Sequence, residues 1–320
     1  MKKSYVASLL TLLSLPSIAQ LPEWVVSFGD QGFTAKQYGY HIQAASNAIY
    51  ATGSVAGNTV DFDGNQITAS GDRDALVLKL DSTGNVIWAT RAGGPGAFGT
   101  DFEAGRLICY DDGQDILYTT GQFSSTPSSF GNHQLSAAAN TANVYCGALD
   151  ANGEWVWVKH IQGPQLYMRS IFIDDMGYMA VAGNSPYQAY FDATPPAVLP
   201  GGGFLARYDA IGSLIGAELI LANGFIGDMK LVDGSQYIVG DVSAGGTLYN
   251  TAVPAINGAR TSFVAKTDAL GNVDWLATIG GSDTIITTGV GVLPNGRALS
   301  MGRFLVILKL HLPILVAMKV

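Results

Sequence analysis

Several common structural devices are scarce in this 320-residue chain. It has two cysteines and 12 prolines, and charged residues make up 13% of it, about half of the roughly 25% usual in soluble domains. Two cysteines exclude a disulfide-dense scaffold and a four-cysteine zinc site. With 17 Lys and Arg against 25 Asp and Glu, the chain carries a net charge of -8. This balance argues against a nucleic-acid partner, because binding to phosphates depends on basic side chains.

The first 20 residues predict an export signal. Lys2 and Lys3 precede an apolar stretch from Val6 to Leu15, and the small-residue sequence 17–19 follows Pro16. The apolar stretch is shorter than the roughly 18 residues that a membrane helix needs, so we expect no stable membrane span. The sequence therefore predicts a signal peptide at 1–20 and a secreted or cell-surface protein.

Glycine is abundant, with 40 residues, and one phrase built around it recurs four times. In each copy an Asp is followed three residues later by Gly, and in three copies Trp follows the Asp by seven. The third copy has Gly216 at the Trp position. The four phrases begin at Asp81, Asp150, Asp209 and Asp268, and the Trp residues are Trp88, Trp157 and Trp275.

A second phrase, most often Tyr-x-x-Gly, precedes each copy and also opens a fifth unit. Its copies occupy 50–53, 118–121, 180–183, 237–240 and 299–302. Asp-x-x-Gly between apolar runs favours a tight hairpin, because Gly accepts the positive φ that the turn requires. We therefore predict four short antiparallel strands per unit, which is typical of a β-propeller blade.

The predicted fold is all-β, a β-propeller with about four complete units and a partial fifth. The repeats occupy 21–304, with units ending near 88, 157, 216 and 275 and a partial unit at 276–304. The sequence around Trp24 resembles that around Trp275 without the three strands before it, so we expect it to complete a blade begun at the C-terminus.

The repeated phrases resemble the SBBP-type β-propeller repeat of exported bacterial proteins. The segment from Ser262 to Asp268 is the closest match and the copy with Gly216 the poorest. A quinoprotein propeller repeat is less similar, because its Asp lies four residues before the Gly. The resemblance implies a propeller on a secreted or surface protein, often part of a longer chain with a C-terminal sorting domain. It implies no catalytic residues.

The last 16 residues, 305–320, break the repeat, since they contain no Gly, Ser, Thr, Asn, Asp or Glu. A frame error or truncation in the gene is the interpretation we favour. A membrane anchor is disfavoured by Lys309, His311 and Pro313. A strand that completes a fifth blade with the Trp24 segment is the third interpretation.

The two cysteines, Cys109 and Cys146, fall on the predicted first and third strands of one sheet. Two strand spacings amount to roughly 9.5 Å, which exceeds the reach of a disulfide. We therefore expect two small buried side chains with free thiols.

The sequence predicts no catalytic, cofactor-binding or metal site. The histidines at 41, 133, 160 and 311 show no ligand spacing. Strand ends expected near the propeller axis carry Arg106, Arg169 and Asp228, which share no chemistry.

Two further patterns have competing interpretations. The segment Asp61–Asn65, with Asp72, places oxygen side chains at alternate positions, but its Gly64 lies at the wrong place for an EF-hand loop. We therefore interpret it as a hairpin turn with Phe62 docked on the blade. The Trp residues at 24, 88, 157 and 275 can stack on sugars, but their recurrence favours packing between neighbouring sheets.

These features predict a non-catalytic extracellular scaffold that presents loops to a protein or glycan partner. A purely structural segment of a longer surface protein is equally compatible. The alternative is a polymer-processing enzyme with a site at the propeller axis, which requires carboxylates that converge on the axial strand ends.

Overall fold

The computed structural model describes residues 37–57, 59–95, 103–139, 141–192, 195–255, 260–279, 286–303 and 315–318. Within these ranges the chain is all-β and no helix occurs, so none could cross a membrane. The predicted signal peptide, the Trp24 segment, His311 and most of the C-terminal tail lie outside the described residues.

Unit 1 is a four-stranded antiparallel sheet with a small hairpin inserted between its second and third strands. Its strands are, in chain order, β1 (Tyr38–Ala44), β2 (Ile49–Ala56), the hairpin β3 (Val60–Phe62) and β4 (Asn65–Ile67), then β5 (Arg73–Leu80) and β6 (Val86–Gly93).

Unit 2 repeats this arrangement, and so does unit 3. Unit 2 consists of β7 (Ala104–Asp111), β8 (Ile116–Gln122), the hairpin β9 (Ser128–Phe130) and β10 (His133–Leu135), then β11 (Ala142–Leu149) and β12 (Trp155–Gly163). Unit 3 consists of β13 (Tyr167–Ile173), β14 (Met179–Ser185), the hairpin β15 (Ala189–Phe191) and β16 (Ala197–Leu199), then β17 (Gly202–Tyr208) and the first part of β18 (Leu214–Val232).

The long strand β18 serves two units: its first part is the fourth strand of unit 3, and its second part is the first strand of unit 4. Unit 5 is described only in part. Unit 4 continues with β19 (Ser235–Leu248), β20 (Thr251–Ala252), β21 (Thr261–Thr267) and β22 (Val273–Ile279). Unit 5 has β23 (Ile286–Val292), β24 (Ala298–Arg303) and β25 (Leu315–Met318), which pairs with β24 in the parallel sense. The four-stranded antiparallel units predicted from the sequence are therefore confirmed for units 1 to 4.

The predicted turns form as expected from the Asp-x-x-Gly phrase. In unit 1, Oδ1 of Asp81 accepts the backbone N–H groups of Thr83 at 2.8 Å and Asn85 at 3.0 Å, and Gly84 has a φ of 90°. The Asp residues at 150, 209 and 268 each accept the same two backbone bonds. Asp174 does so too, at a turn between the first two strands of unit 3.

The inserted hairpins were not predicted as parts of a sheet. Those of units 2, 3 and 4 join the fourth strand of the preceding unit: β9 pairs with β6, β15 with β12, and the end of β19 with the first part of β18. The hairpin β3–β4 forms a two-stranded sheet, which confirms the hairpin interpretation of Asp61–Asn65. Phe62 is buried and Gly64 N–H donates to Oδ1 of Asp61 at 2.6 Å.

The core lies between the faces of successive units. One apolar cluster joins units 1 and 2, another joins units 2 and 3, and two more join units 3 to 4 and 4 to 5. Trp88 and Trp157 belong to these clusters and are 8% and 5% exposed, so they pack between sheets as predicted. Trp275 is half-buried against Tyr237, and Trp24 lies outside the described residues.

The cysteines are free, as predicted, and their strands lie first and third in the sheet order β7-β8-β11. Cys146 is buried, and burial raises the pKa of its thiol to about 12. Cys109 is only half-buried, which corrects the expectation that both side chains are buried. Its strand is the first of the unit, so it has a neighbour in its own sheet on one side only.

Candidate functional site

The first strand of every unit has a bulge at the same place. Pairing with the second strand slips by one residue, which leaves one residue of the first strand unopposed. A bulge of this kind re-aims a side chain and is often found beside functional sites. The unopposed residues, which we call the bulge positions, are Tyr40, Arg106, Arg169, Gly227 and Thr288.

The bulge positions carry different side chains on one backbone frame. Arg169 and Thr288 are exposed, and Tyr40 and Arg106 are half-buried. The Arg106 guanidinium lies 4.2 Å from the centre of the Tyr40 ring, and its Nη2 donates to Oε1 of Gln122 at 3.1 Å. Units 1 and 2 thus present a joint aromatic and cationic surface.

In unit 4 the bulge position is glycine for a steric reason. A Cβ at Gly227 would collide with the backbone carbonyl of Thr287 in unit 5. The surface formed by the bulge positions therefore has a gap at unit 4, between the side chains of Arg169 and Thr288.

In units 1, 3 and 4, the residue after the bulge position ties its unit to the next one. Nδ1 of His41 accepts the N–H of Ile108 at 3.2 Å, and Ser170 Oγ accepts the N–H of Met229 at 2.8 Å. Oδ2 of Asp228 accepts the N–H of Val290 at 3.0 Å. These side chains satisfy backbone donors that no strand of their own sheet reaches.

The structure therefore places two of the three axial residues proposed from the sequence at equivalent positions of two units. Arg106 and Arg169 occupy equivalent bulge positions, whereas Asp228 follows a bulge position and is used in packing. Among the described residues of the five first strands, Asp228 is the one carboxylate next to a bulge position. The acid pair that a polymer-processing enzyme requires does not form there within the described part of the chain.

A pair of buried carboxylates, which sequence reasoning missed, lies between units 1 and 2. Asp74 is on β5 and Glu103 directly precedes β7, and both side chains are essentially inaccessible to solvent. A Cβ at Gly93 would collide with Oδ1 of Asp74 and with Oε2 of Glu103, so the two oxygens flank the same glycine. No signal in the sequence connects these two positions.

The partners of the two carboxylates differ. Oδ2 of Asp74 accepts from the Arg91 guanidinium at 2.6 Å and from the Ser70 N–H at 2.9 Å, whereas its Oδ1 has no hydrogen-bond partner. Burial raises the pKa of Asp74 to about 6; the Ser70 N–H and Arg91 oppose this increase and Glu103 adds to it.

Glu103 is held entirely by donors from the protein. Its Oε1 accepts from the backbone and hydroxyl of Ser125 and from the Ser128 hydroxyl at 2.7 Å, and its Oε2 accepts from the Gly94 N–H at 3.1 Å. Because both carboxylates are buried, this pair fixes the junction of two units and offers no surface to a substrate.

The remaining candidates have structural contacts. His160 bonds to Oδ1 of Asn143 at 2.9 Å, and His133 to the Trp155 carbonyl at 3.2 Å. Oδ2 of Asp63 accepts the N–H of Val86 at 3.0 Å. Within the described ranges, no three His, Cys, Asp or Glu side chains come together in a group that could hold a metal ion.

Comparison with known proteins gives little. No family model matches the sequence, and no curated protein matches it. Among solved structures, a protein of unknown function from Bacteroides caccae shares 12% identity with this chain. The match has a TM-score of 0.23 and covers 64% of this chain and 90% of the other. A likeness at this level supports no conclusion on fold or function.

Proposed function

We propose that the units are arranged radially as a β-propeller and that the protein is a non-catalytic binding scaffold. The radial arrangement is supported by His41 of unit 1. Partial burial lowers the pKa of its imidazole, Asp228 of unit 4 opposes this, and Lys230 of unit 4 adds to it. In a linear stack, sheets about 10 Å apart would hold units 1 and 4 about 30 Å from each other. Charges at that separation are screened.

The binding role is carried by the bulge positions. The same bulge recurs in the first strand of five units, yet the residue at the bulge position is tyrosine, arginine twice, glycine and threonine. If these residues served only to build the repeat, one residue type would suffice at every copy. A constant frame with varied side chains is how repeat proteins generate a specific binding surface.

The aromatic and cationic groups at the bulge positions favour a partner with sugar rings or acidic groups. Tyrosine offers a flat face to a sugar ring, and arginine binds carboxylates with two parallel hydrogen bonds. The proposed partner is therefore a glycan with acidic substituents or an acidic protein surface. The same proposal includes that a signal peptide exports the protein and that its units are SBBP-type repeats.

The proposal is tested by binding of the mature chain to a glycan array and by pull-down from the cell surface. An R106A/R169A double variant should bind at least about tenfold more weakly, because each lost charged hydrogen bond contributes about 1.5–3 kcal/mol. The matched control is Arg297→Ala, which removes an exposed arginine from the turn between β23 and β24. Equal binding by the wild type and the double variant would contradict the proposed surface.

A further inference from the structure

The boundary between units 3 and 4 lacks an indole that the two earlier boundaries have. At those two boundaries, the Trp88 and Trp157 rings pack on the turn glycines of the next unit, Gly153 and Gly212. Unit 3 has Gly216 at the equivalent position, and a Cβ at this exposed glycine would meet nothing within 4 Å. The Asp-x-x-Gly turn of unit 4 therefore receives no indole from the preceding unit.

A cavity of about 500 Å³ lies on that turn. Its volume falls within the range of small-molecule sites, about 300–1,000 Å³. Glu218 lines the cavity and follows Gly216 by two residues on β18, so the two positions share one face of the strand. The other walls come from the hairpin and the turn of unit 4, at Tyr249 to Thr251 and Leu270 to Val273. The cavity therefore lies on the side of the boundary where units 1 and 2 place their Trp.

Tyr249 forms one wall of the cavity in a strained backbone conformation. It begins a two-residue loop between the paired residues Leu248 and Thr251, and its φ is 49°. The equivalent loop positions of units 1 and 2 hold Asp63 and Gly131, at 53° and 55°. Asp and Gly tolerate a positive φ, whereas a bulky side chain rarely adopts it. Strained residues of this kind cluster at binding sites, so Tyr249 marks the cavity as a candidate site.

The Tyr249 side chain is held in place before any ligand binds. Its backbone N–H donates to the Ile220 carbonyl at 2.6 Å, and its hydroxyl donates to Oε1 of Gln236 at 2.6 Å. Burial raises the pKa of the Tyr249 phenol; Glu218 adds to this increase and Arg207 opposes it. The hydroxyl therefore stays protonated and keeps its hydrogen bond, so this wall of the cavity is preformed.

The polar groups of the cavity suit a ligand rich in hydroxyl groups. Asn250 and Thr251 are exposed and supply an amide and a hydroxyl, each of which can donate and accept. Nδ2 of Asn272 donates to Oδ2 of Asp268 at 2.7 Å, which leaves Oδ1 of Asn272 as an acceptor. Hydroxyl groups both donate and accept, so they match this mixed set.

The charges around the cavity disfavour an anion. Oε1 of Glu218 accepts from the Arg207 guanidinium at 2.6 Å, and the same guanidinium donates to Asp174 at 3.2 Å. One cation thus serves two carboxylates, and a third carboxylate, Asp268, holds the turn on which the cavity lies. An acidic ligand would be repelled by this excess of negative charge. Oε2 of Glu218 is left as an acceptor for a ligand hydroxyl.

We propose that this cavity binds a neutral sugar of one or two rings. Its hydroxyl groups bond to the side chains of Glu218, Asn250, Thr251 and Asn272, and the Tyr249 ring offers an apolar wall to the C–H groups. None of the bulge positions lines the cavity. The inference therefore does not depend on the proposed function, and a failure to bind an acidic partner at the bulge positions leaves it intact.

Binding is measured by isothermal titration and saturation-transfer difference NMR. The probes are the methyl glycosides of glucose, galactose and mannose, with cellobiose and lactose. Ligands of this size bind with a dissociation constant of about 1 mM. We expect at least one of these sugars to bind in this range, and the uronic acid of the same sugar to bind at least about tenfold more weakly. No binding by any of them up to about 10 mM would overturn the inference.

A double variant tests whether the sugar binds in this cavity. N250A/T251V removes two exposed polar groups and should weaken binding at least about fivefold, because two hydrogen bonds are lost. The matched control is Asn132→Ala, the equivalent loop position of unit 2, where Gly131 precedes it in place of a tyrosine. Equal binding by N250A/T251V and the wild type would overturn the assignment.

Filling the cavity provides a test that removes no polar group. In Gly216→Trp the new indole should cover the turn of unit 4, as Trp88 and Trp157 cover theirs, and should abolish sugar binding. Urea unfolding checks that the variant is folded. The control is Ile215→Trp, whose side chain points to the opposite face of the strand. Equal binding by the two folded variants would overturn the placement of the sugar.

Discussion

At the residue scale, a glycine and a tryptophan form a matched pair at the boundaries between units 1 and 2 and between units 2 and 3. Gly153 has a φ of 81° and lies under the Trp88 ring, where a Cβ would be 2.7 Å from the ring atoms. Gly177 has nearly the same φ, 79°, but a Cβ there would meet nothing within 4 Å. Substitutions at these two glycines therefore distinguish the energetic cost of backbone strain from the cost of displacing a packed side chain.

Gly153→Ala should destabilise the protein more than Gly177→Ala. Both substitutions add about 1–2 kcal/mol of backbone strain, and only the first displaces a buried indole, at a further cost of about 1–3 kcal/mol. Urea unfolding of the two variants measures the difference. Equal losses would show that the indole does not depend on this contact.

The buried Asp74 gives the protein a specific pH dependence. Its pKa in the folded state, about 6, lies above the ordinary value of 3.8. The folded state therefore binds the proton more tightly than the unfolded state, and this contribution is full below pH 3.8. It is lost as the pH rises towards and through 6, and amounts to on the order of 3 kcal/mol.

Asp74→Asn should remove this part of the pH profile. The free energy of unfolding, measured by urea between pH 4 and 7, should fall less with rising pH in the variant than in the wild type. The control is Asp112→Asn, which removes an exposed carboxylate from the turn between β7 and β8. The same profile in Asp74→Asn and the wild type would contradict the assignment.

At the scale of elements, the sequence predicted the four-stranded units because each is bounded by its own turn phrase. The inserted hairpins of units 2 and 3 escaped prediction, although 60–67 and 128–135 share Phe, Gly, Asn and Gln in the same order. The reason is that their partner strand belongs to another unit. The acid pair was missed for the same reason, because Asp74 and Glu103 meet only when two units pack.

The bulges could not be read from the sequence either. A bulge is decided by pairing with the second strand, so Arg106 and Arg169 were expected near the strand ends but not at equivalent positions. Once the register is known, Tyr40 and Thr288 are also found at bulge positions. The chemistry of the candidate surface thus depends on a register that no single strand specifies.

The irregular third copy tests how the boundary works. Unit 3 has Gly216 where units 1 and 2 have Trp, and the Tyr249 ring from the hairpin of unit 4 packs on Gly271 instead. Its hydroxyl donates to Oε1 of Gln236 at 2.6 Å. At this boundary the ring on the turn glycine therefore comes from unit 4 itself, whereas at the other two boundaries it comes from the preceding unit.

Tyr249→Ala should cost about 2 kcal/mol, because it removes a half-buried ring. Adding Gly216→Trp should recover part of this loss, about 1 kcal/mol, since the indole can then occupy the vacated place. The control is Ile215→Trp in the Tyr249→Ala background, where the neighbouring side chain points to the opposite face. Equal recovery in both double variants, by thermal and urea unfolding, would contradict this replacement.

At the scale of the whole molecule, the account depends on a radial arrangement of the units. The third residue of each Asp-x-x-Gly turn is the same point on each unit, and these residues are exposed. They are Thr83 in unit 1, Asn152 in unit 2, Ile211 in unit 3 and Leu270 in unit 4. Distances between these residues distinguish a radial arrangement of the units from a linear stack.

The most direct test is double electron–electron resonance on spin labels at these positions, with Cys109 and Cys146 replaced by alanine. The distance from 83 to 270 is compared with that from 83 to 152. In a propeller of up to eight blades the first distance is at most about 2.4 times the second. A ratio of about 3 would mean a linear stack and would contradict the radial arrangement.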